Sequence, residues 1–415
     1  MIKSSRHTLK YNNAGKQEIL DDFLDECRAA LRFYVDHLWT NLDGIAYQQA
    51  KYMATEDIHL FDSILSQRAL KCIATQAVGM VNASISKQRK RIFKRARLVL
   101  AGKSTKKLDR AIMNAKIVKP GVNARAPIEF NSIIAKYSDS DDTTFDGFIE
   151  MASMGWIYRK IELPIRMHRH ANKLAGMGKM KAGILISNDY VNLRWEIPKP
   201  DNRTHGEIIG ADQGVRTCVT MSDGQVTTPN PHGHDLNSIQ KSMARKQKGS
   251  KAFERAQRHR VNYTRWAINQ LDFSDIQEFR LEKLYQMRRG KKSCRYLSHF
   301  NYPVIRDKIA DTCAMNGVHF IEQGNRYRSQ RCHVCGHVHK GNRHGKLFSC
   351  RACGNECDAD LNAARNHAQS LRRIPHNFDV GGLNRTTGFT WTTDGLYHPS
   401  GQEITVPDDD ENLSF

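Results

Sequence analysis

Apolar residues recur at intervals of three and four at Ile19, Leu20, Phe23, Leu24, Cys27, Leu31, Tyr34, Val35 and Leu38. One face of a long helix is therefore apolar and belongs in a core. Ahead of it, residues 6–10 read as a short strand, and Asn12, Asn13 and Gly15 break the pattern. A second helix follows Leu65 and runs into Lys87, Arg89, Lys90, Arg91, Lys94, Arg95 and Arg97, with Lys103, Lys106, Lys107 and Arg110 beyond. From about residue 116 to 200 the period shortens towards two, as in Ile161-Glu162-Leu163-Pro164-Ile165 and Val191-Asn192-Leu193-Arg194-Trp195-Glu196-Ile197. These stretches predict strands of a small, partly open barrel, interrupted by a polar loop over 138–144. Pro198, Lys199, Pro200, Asp201 and Asn202 read as a linker, and no internal repeat of fixed period is visible. The last forty residues lack periodicity and end in Asp408, Asp409, Asp410 and Glu411, which predicts a flexible acidic tail.

A chain of 415 residues exceeds one ordinary core and predicts two to four domains. Charge adds more: 64 Lys and Arg against 43 Asp and Glu leave a net +21. Such an excess suits a polyanion, because each cation placed beside a phosphate releases a condensed counterion. The plain alternative is a merely soluble basic surface. The run Arg89, Lys90, Arg91, Lys94, Arg95, Arg97 is nearly free of acids, which favours a phosphate backbone over a solvated face. No secretory signal and no membrane-length apolar run is present, so an intracellular protein with no membrane partner is expected. Of ten cysteines, Cys27, Cys72, Cys218, Cys294 and Cys313 are scattered and read as small buried hydrophobes in a reducing compartment.

Three acidic stretches stand out. Asp212 interrupts the apolar run Ile208-Ile209-Gly210-Ala211, ahead of Cys218-Val219-Thr220-Met221 and a turn at Ser222-Asp223-Gly224. That is a hairpin signature with a carboxylate in its first strand, and burying it requires a structural arginine or a metal. Glu282 ends an extended run before a basic loop over 288–292, with Glu278 as the competing acid. Asp358 and Asp360 open an Ala-rich helix, where capping is the ordinary role of an acid. Taken together, acids on three separate elements suit a two-metal site, and hard oxygen ligands suit magnesium or manganese.

Cys332-His333-Val334-Cys335-Gly336 and Cys350-Arg351-Ala352-Cys353-Gly354 form two C-x2-C pairs separated by fourteen residues. Each pair predicts a thiolate knuckle, and its glycine permits the turn that follows, so a structural zinc site is expected. Cys357, His333, His337, His339 and His344 are alternative ligands, but none improves the spacing. The spacer carries Lys340, Arg343, His344 and Lys346, a short basic finger.

In this order the motifs resemble the transposon-encoded TnpB nucleases and the compact type V CRISPR (Cas12-like) effectors. The residues that carry the likeness are Gly210-Ala211-Asp212-Gln213-Gly214-Val215, the basic segment from Lys246 to Arg260, Glu282-Lys283-Leu284, Tyr327-Arg328-Ser329-Gln330-Arg331-Cys332, and Asp360-Leu361-Asn362-Ala363-Ala364-Arg365-Asn366. Gln213 stands where the family usually has an apolar residue, and Ala359 where it usually has arginine. The resemblance implies a multidomain α+β protein. An N-terminal wedge β-barrel with an inserted helical recognition lobe precedes an RNase H-like (RuvC) α/β nuclease domain with an inserted zinc ribbon. It also implies catalytic, magnesium-binding Asp212, Glu282 and Asp360, and so favours Glu282 over Glu278.

The expected boundaries are 1–15 for a first wedge strand, 16–115 for the helical lobe, 116–203 for the barrel, 204–330 and 357–375 for the nuclease, 331–356 for the ribbon and 376–415 for a flexible tail. The implied activity is RNA-guided cleavage of double-stranded DNA beside a short flanking motif, by two-metal hydrolysis in one RuvC site. Expected cofactors are Zn2+ and two Mg2+, with Mn2+ as a substitute. Expected partners are a guide RNA and target DNA, held by Arg89, Lys90, Arg91, Lys94, Arg95, Arg97, Arg245, Lys246, Lys248, Lys251 and Arg328. The implied location is the cytoplasm of a prokaryotic cell, and the oligomeric state is left open between a monomer and an RNA-bound dimer. Three other readings stand beside this one: a guided DNA-binding protein that does not cut, a self-contained transposase, and a zinc-ribbon DNA-binding protein without catalysis.

Overall fold

The computed structural model describes residues 1–42, 52–102, 104–115, 117–284, 295–374 and 378–406. Lys103, Cys294, the basic loop 288–292 and the acidic residues 408–411 lie outside the described residues. The chain divides into two compact units, Met1–Pro198 and Lys199–Phe415, so the division falls in the Pro-rich stretch expected to be a linker.

The first unit begins with strand β1 (Ile2–Thr8) and continues through helices α1 (Ala14–Thr40), α2 (Thr55–Ile58), α3 (Gln67–Leu100) and α4 (Lys106–Met113). Strands β2 (Ile128–Phe130), β3 (Ala135–Asp139), β4 (Gly147–Met151) and β5 (Ile161–Ile165) follow, then α5 (Arg169–Met177), β6 (Lys179–Met180), β7 (Ile184–Ile186) and β8 (Tyr190–Glu196). Asn13 caps α1 by accepting from the Lys16 amide, and Ser66 caps α3 by accepting from Ala69. The apolar stripe of α1 is buried at Leu20, Phe23, Leu24, Cys27, Leu31, Tyr34 and Val35, as its spacing predicts. The strands make two sheets, β1-β8-β7-β2 with β6 also on β8, and β3-β4-β5. Among the described residues they close no barrel. β1 and β8 come from opposite ends of the unit and pair antiparallel from Ile2 with Glu196 to Thr8 with Tyr190, which places the helices inside a sheet-forming segment. One core joins α1 and α3 to the strands, so no separate core marks the boundary expected near residue 115. Buried Arg28 ties helix to loops, donating to Ala126 O at 3.0 Å, Asp25 at 2.6 Å and Asn188 at 2.6 Å.

The second unit contains β9 (Glu207–Gln213), β10 (Val219–Met221), α6 (Leu236–Ala244), α7 (Lys251–Ile268), β11 (Ile276–Lys283), α8 (Tyr302–Asn316) and β12 (His319–Gly324). Short strands β13 (His337–Val338), β14 (Arg343–His344), β15 (Leu347–Ser349) and β16 (Glu356–Asp358) precede α9 (Ala359–Ala368), β17 (Phe389–Trp391) and β18 (Leu396–Tyr397). The main sheet has the order β10-β9-β11-β12: β10 runs antiparallel to β9, while β11 is parallel to both β9 and β12. Helix α9 lies close against β9 because Gly210 has no side chain. A Cβ there would sit 2.1 Å from the Ala368 amide nitrogen and 2.2 Å from Ala364 O.

The expectation of a flexible tail fails for residues 378–406. β17 pairs with β13 and with β18, and Phe389, Trp391 and Leu396 are buried in a small core with Val338, Ile374 and Val380. The segment is too short and mixed to show a period, yet its few apolar residues converge on one cluster. Trp391 illustrates this, since its indole N–H donates to Arg372 O at 3.0 Å.

Candidate functional site

Asp212 lies near the end of β9 and Glu282 near the end of the neighbouring parallel strand β11, one residue beyond the Ala211–Leu281 pair. Equal strand direction therefore brings both acids to the same end of the sheet. Gln213 links the two strands, its side-chain amide donating to Glu282 O at 2.8 Å. Asp212 is 9% exposed. Burial first, and the neighbouring Asp360 charge second, push its carboxyl up to about 6. Burial also pushes Glu282 well above its ordinary value, aided by the Asp212 charge and by a hydrogen bond between the two carboxyls. That bond lowers Asp212 and raises Glu282, so Glu282 is the partner that keeps a proton.

The rival acids are occupied elsewhere. Glu278 accepts from Arg280 Nε at 2.5 Å and pairs with His319 Nδ1 at 3.1 Å. Asp358 caps α9, accepting from the Asp360 and Leu361 amides at 2.9 and 3.0 Å. Asp360 is thereby left out of the cap. One of its carboxylate oxygens accepts from Arg343 at 2.8 Å and the other is paired with Lys346. Both cations belong to the β14–β15 hairpin, which is the basic finger between the two cysteine pairs. His367, in the last turn of α9, is 1% exposed, and its ring joins Asp212 and Glu282 in a group whose ligand atoms all lie within 4.8 Å of one another.

Among the described residues no cation is ion-paired with Asp212 or Glu282, and the nearby Arg343 and Lys346 are paired with Asp360, which leaves the two acids an incomplete charge arrangement. A divalent ion between them would let both ionise, so the donor set fits a hard metal ion.

The second group is Cys332, Cys335, Cys350 and Cys353. Cys332 and Cys353 sulfurs are 3.7 Å apart, and Cys335 and Cys350 sulfurs 3.6 Å. Four thiolates around one ion at the usual zinc–sulfur bond length would sit about 3.8 Å from each other, so this cluster could hold zinc. The knuckles repeat each other: the Gly336 amide donates to Cys332 O at 3.0 Å and the Gly354 amide to Cys350 O at 2.9 Å, both glycines at positive φ of 78° and 72°. Neither Cys357 nor any of His333, His337, His339 and His344 enters the group. Cys332 and Cys350 pack with Phe348 and with Ala359, which leads into the Asp360 helix, so the position that resemblance expects to hold arginine is filled by a small buried residue.

The expected nucleic-acid contacts divide by surroundings. On α3, Lys90, Arg95 and Arg97 are exposed, but Arg95 pairs with Asp109 at 2.5 Å, Arg91 donates to Ala111 O at 3.3 Å, and Arg89 and Lys94 are half-buried. Arg245, Lys248 and Lys251 are exposed beside α6 and α7, while Lys246 donates to Ser242 Oγ at 2.9 Å. Arg328 is a correction. It is 5% exposed, its guanidinium donates to Gly324 O at 3.0 Å and to Asn366 O, and it lies over the Trp391 ring. Its charge is thus spent inside the unit, and burial lowers it to about 9. The sequence did not single out His367, nor the pairing of Arg343 and Lys346 with Asp360. Only the seven-residue spacing from Asp360 to His367, two helical turns, hints that the ring shares a face with the acid.

Residues 302–367 match the family described as Cas12f1-like, TNB domain. The CRISPR-associated endodeoxyribonuclease Cas12f1 of Sulfoacidibacillus thermotolerans is 44% identical over 75 residues, 18% of each chain. The putative transposase A625R of Paramecium bursaria Chlorella virus 1 is 29% identical over 46% of this chain and 50% of its own. The putative RNA-guided DNA endonuclease InsQ of Escherichia coli (strain K12) is 26% identical over 38% of this chain and 48% of its own. The chain thus spans half or less of the length of these relatives. Among solved structures, the mini-RNA-guided endonuclease CRISPR-Cas_phi3 shares the fold with a TM-score of 0.50 at 10% identity, covering 89% of this chain and 92% of that one. The chain is, by these matches and by its mixed α/β multidomain fold, similar to the TnpB and Cas12-like proteins.

Proposed function

We propose that the protein is an RNA-guided DNA endonuclease that hydrolyses phosphodiesters in a single RuvC-type site on the second unit. The observation that carries this reading is the convergence of Asp212, buried, and Glu282, half-buried, at the same end of two parallel strands, with Asp360 close enough to raise Asp212. The order β10-β9-β11-β12 with α9 packed on β9 suits an RNase H-like domain, and the four-cysteine cluster suits a structural zinc ribbon within it. The first unit, with its sheet and inserted helices, suits a wedge and recognition lobe that hold a guide RNA.

Magnesium ions, when bound, supply activation of water and stabilisation of the leaving oxygen. The chain's own residues do the rest. Asp212 and Glu282 would hold the ions, and Gln213 ties β9 to β11 beside them. Asp360 would add a further oxygen ligand only on giving up its ion pairs with Arg343 and Lys346, and those cations would then be free to meet the phosphates of a DNA strand. Guide pairing reads the target sequence, and the protein reads backbone and a short flanking motif.

The test is purification with co-purifying RNA, sequencing of that RNA, and incubation with matched DNA in Mg2+. Cleavage by wild type, and binding without cleavage by Asp212→Ala, is the expected result; wild-type binding without cleavage would instead support a guided binding protein. That second reading draws on Asp360, whose two oxygens are both engaged by cations of the chain itself.

A further inference from the structure

His367 is an additional metal ligand of the carboxylate site, we infer, and it turns the site towards a transition-metal ion such as Mn2+ in preference to Mg2+. The inference rests on the proposed metal-binding role of Asp212 and Glu282 and adds to it a donor of different chemistry. Three observations carry it. First, the ring is 1% exposed and its Nδ1 has no hydrogen-bond partner among the described residues. Buried polar atoms nearly always find partners, so a free ring nitrogen calls for an explanation. Second, one ring nitrogen lies within 4.8 Å of carboxylate oxygens of both Asp212 and Glu282. Ligands of one ion with bonds near 2.1 Å sit about 3.0 Å apart when adjacent and about 4.2 Å when opposite. The 4.8 Å limit on every pair in the group is close to the larger of these spacings. Third, Asp360 has one oxygen on Arg343 and the other on Lys346, so while those pairs stand the imidazole is the third donor beside Asp212 and Glu282.

The local fold explains how a helix residue reaches the strands. Gly210 lets α9 settle on β9, where any Cβ would lie 2.5 Å from the His367 carbonyl carbon. The sheet thus holds the last turn of α9 against the strand that carries Asp212. Imidazole is a borderline ligand that suits Mn2+, Fe2+, Co2+ or Zn2+, whereas Mg2+ takes oxygen donors and dehydrates reluctantly. A site of two carboxylates and one imidazole therefore favours Mn2+ more than three carboxylates would.

The experiment uses the full chain with its cysteine site loaded with zinc, titrated with Mn2+ and followed by electron paramagnetic resonance and electron spin-echo modulation. Wild type is expected to show 14N modulation on bound Mn2+, replaced by a 15N pattern when the protein is grown with 15N-histidine. His367→Leu is expected to lose that modulation and to bind Mn2+ at least about tenfold more weakly, with little change for Mg2+. Zinc content and thermal melting check that the variant folds; if it does not, the isotope substitution in wild type decides alone. Mn2+ that binds without nitrogen coupling, and is lost in Asp212→Ala, would overturn the role of His367 while leaving the carboxylate site in place. No bound Mn2+ in wild type would overturn the carboxylate site itself, and the inference with it.

Discussion

Asp212 and Glu282, both raised by burial, make the site sensitive to pH. Asp212 ionises at about 6 in the folded protein, held up by burial and then by Asp360, against about 3.9 in an unfolded chain. The folded state therefore keeps a proton that the unfolded chain has lost. This stabilisation is fully present below about pH 4 and disappears as pH rises through about 6. Without added divalent cation, Asp212→Asn should accordingly gain in melting temperature relative to wild type as pH is raised from 4 to 7. A difference that stays constant across that range would count against the assignment. Glu278 shows why residue type alone did not select the acids: four residues from Glu282 and on the same strand, it is held by Arg280 and His319 instead.

At the scale of elements, α9 is fixed by two asparagines one turn apart. Asn362 accepts from the His333 amide at 3.0 Å and donates to Arg331 O at 2.8 Å. Asn366 donates to Arg328 O at 3.0 Å and Arg331 O at 2.7 Å, and accepts from Arg331 Nη1 at 2.6 Å. Both asparagines are fully buried, so each bond replaces one that water would otherwise make. Asn366→Leu removes the side-chain donor to the Arg328 carbonyl, one of two to the Arg331 carbonyl, and an acceptor of the buried Arg331 guanidinium, which should cost about 2–4 kcal/mol in urea unfolding. A loss below about 0.5 kcal/mol would mean the helix is held by β9 alone. The helix itself was legible from its Ala-rich run and the acids at its start. The β14–β15 hairpin was not, because strands of two or three residues carry no readable period, and its cations found their partner only through the turn that leads to Asp360.

For the whole molecule, the four-cysteine cluster and Asp360 belong to one connected structure: Cys332 packs against Ala359, and the Lys346 carbonyl accepts from the Ala359 amide at 2.8 Å. If the proposed function and the zinc site hold, Cys335→Ser should release zinc, loosen the hairpin and abolish cleavage, while RNA binding persists. The first unit has a core of its own, which is the reason for expecting that persistence. Zinc content, RNA binding by filter retention and cleavage together check this; equal loss of RNA binding would show that the metal supports the whole chain.

The sequence by itself determined the four cysteines, the amphipathic α1, the basic excess and the short set of acids from which a site could be drawn. Each of these is local, set by spacing, periodicity or charge within a few residues. The tertiary structure decided which acids meet, because parallel β9 and β11 bring distant carboxylates to one sheet end. It also turned Arg328 from a nucleic-acid contact into an internal strut, built a strand pair from a tail that showed no pattern, and seated His367 beside Asp212. Those outcomes depend on burial and on neighbours far along the chain, which no local pattern encodes.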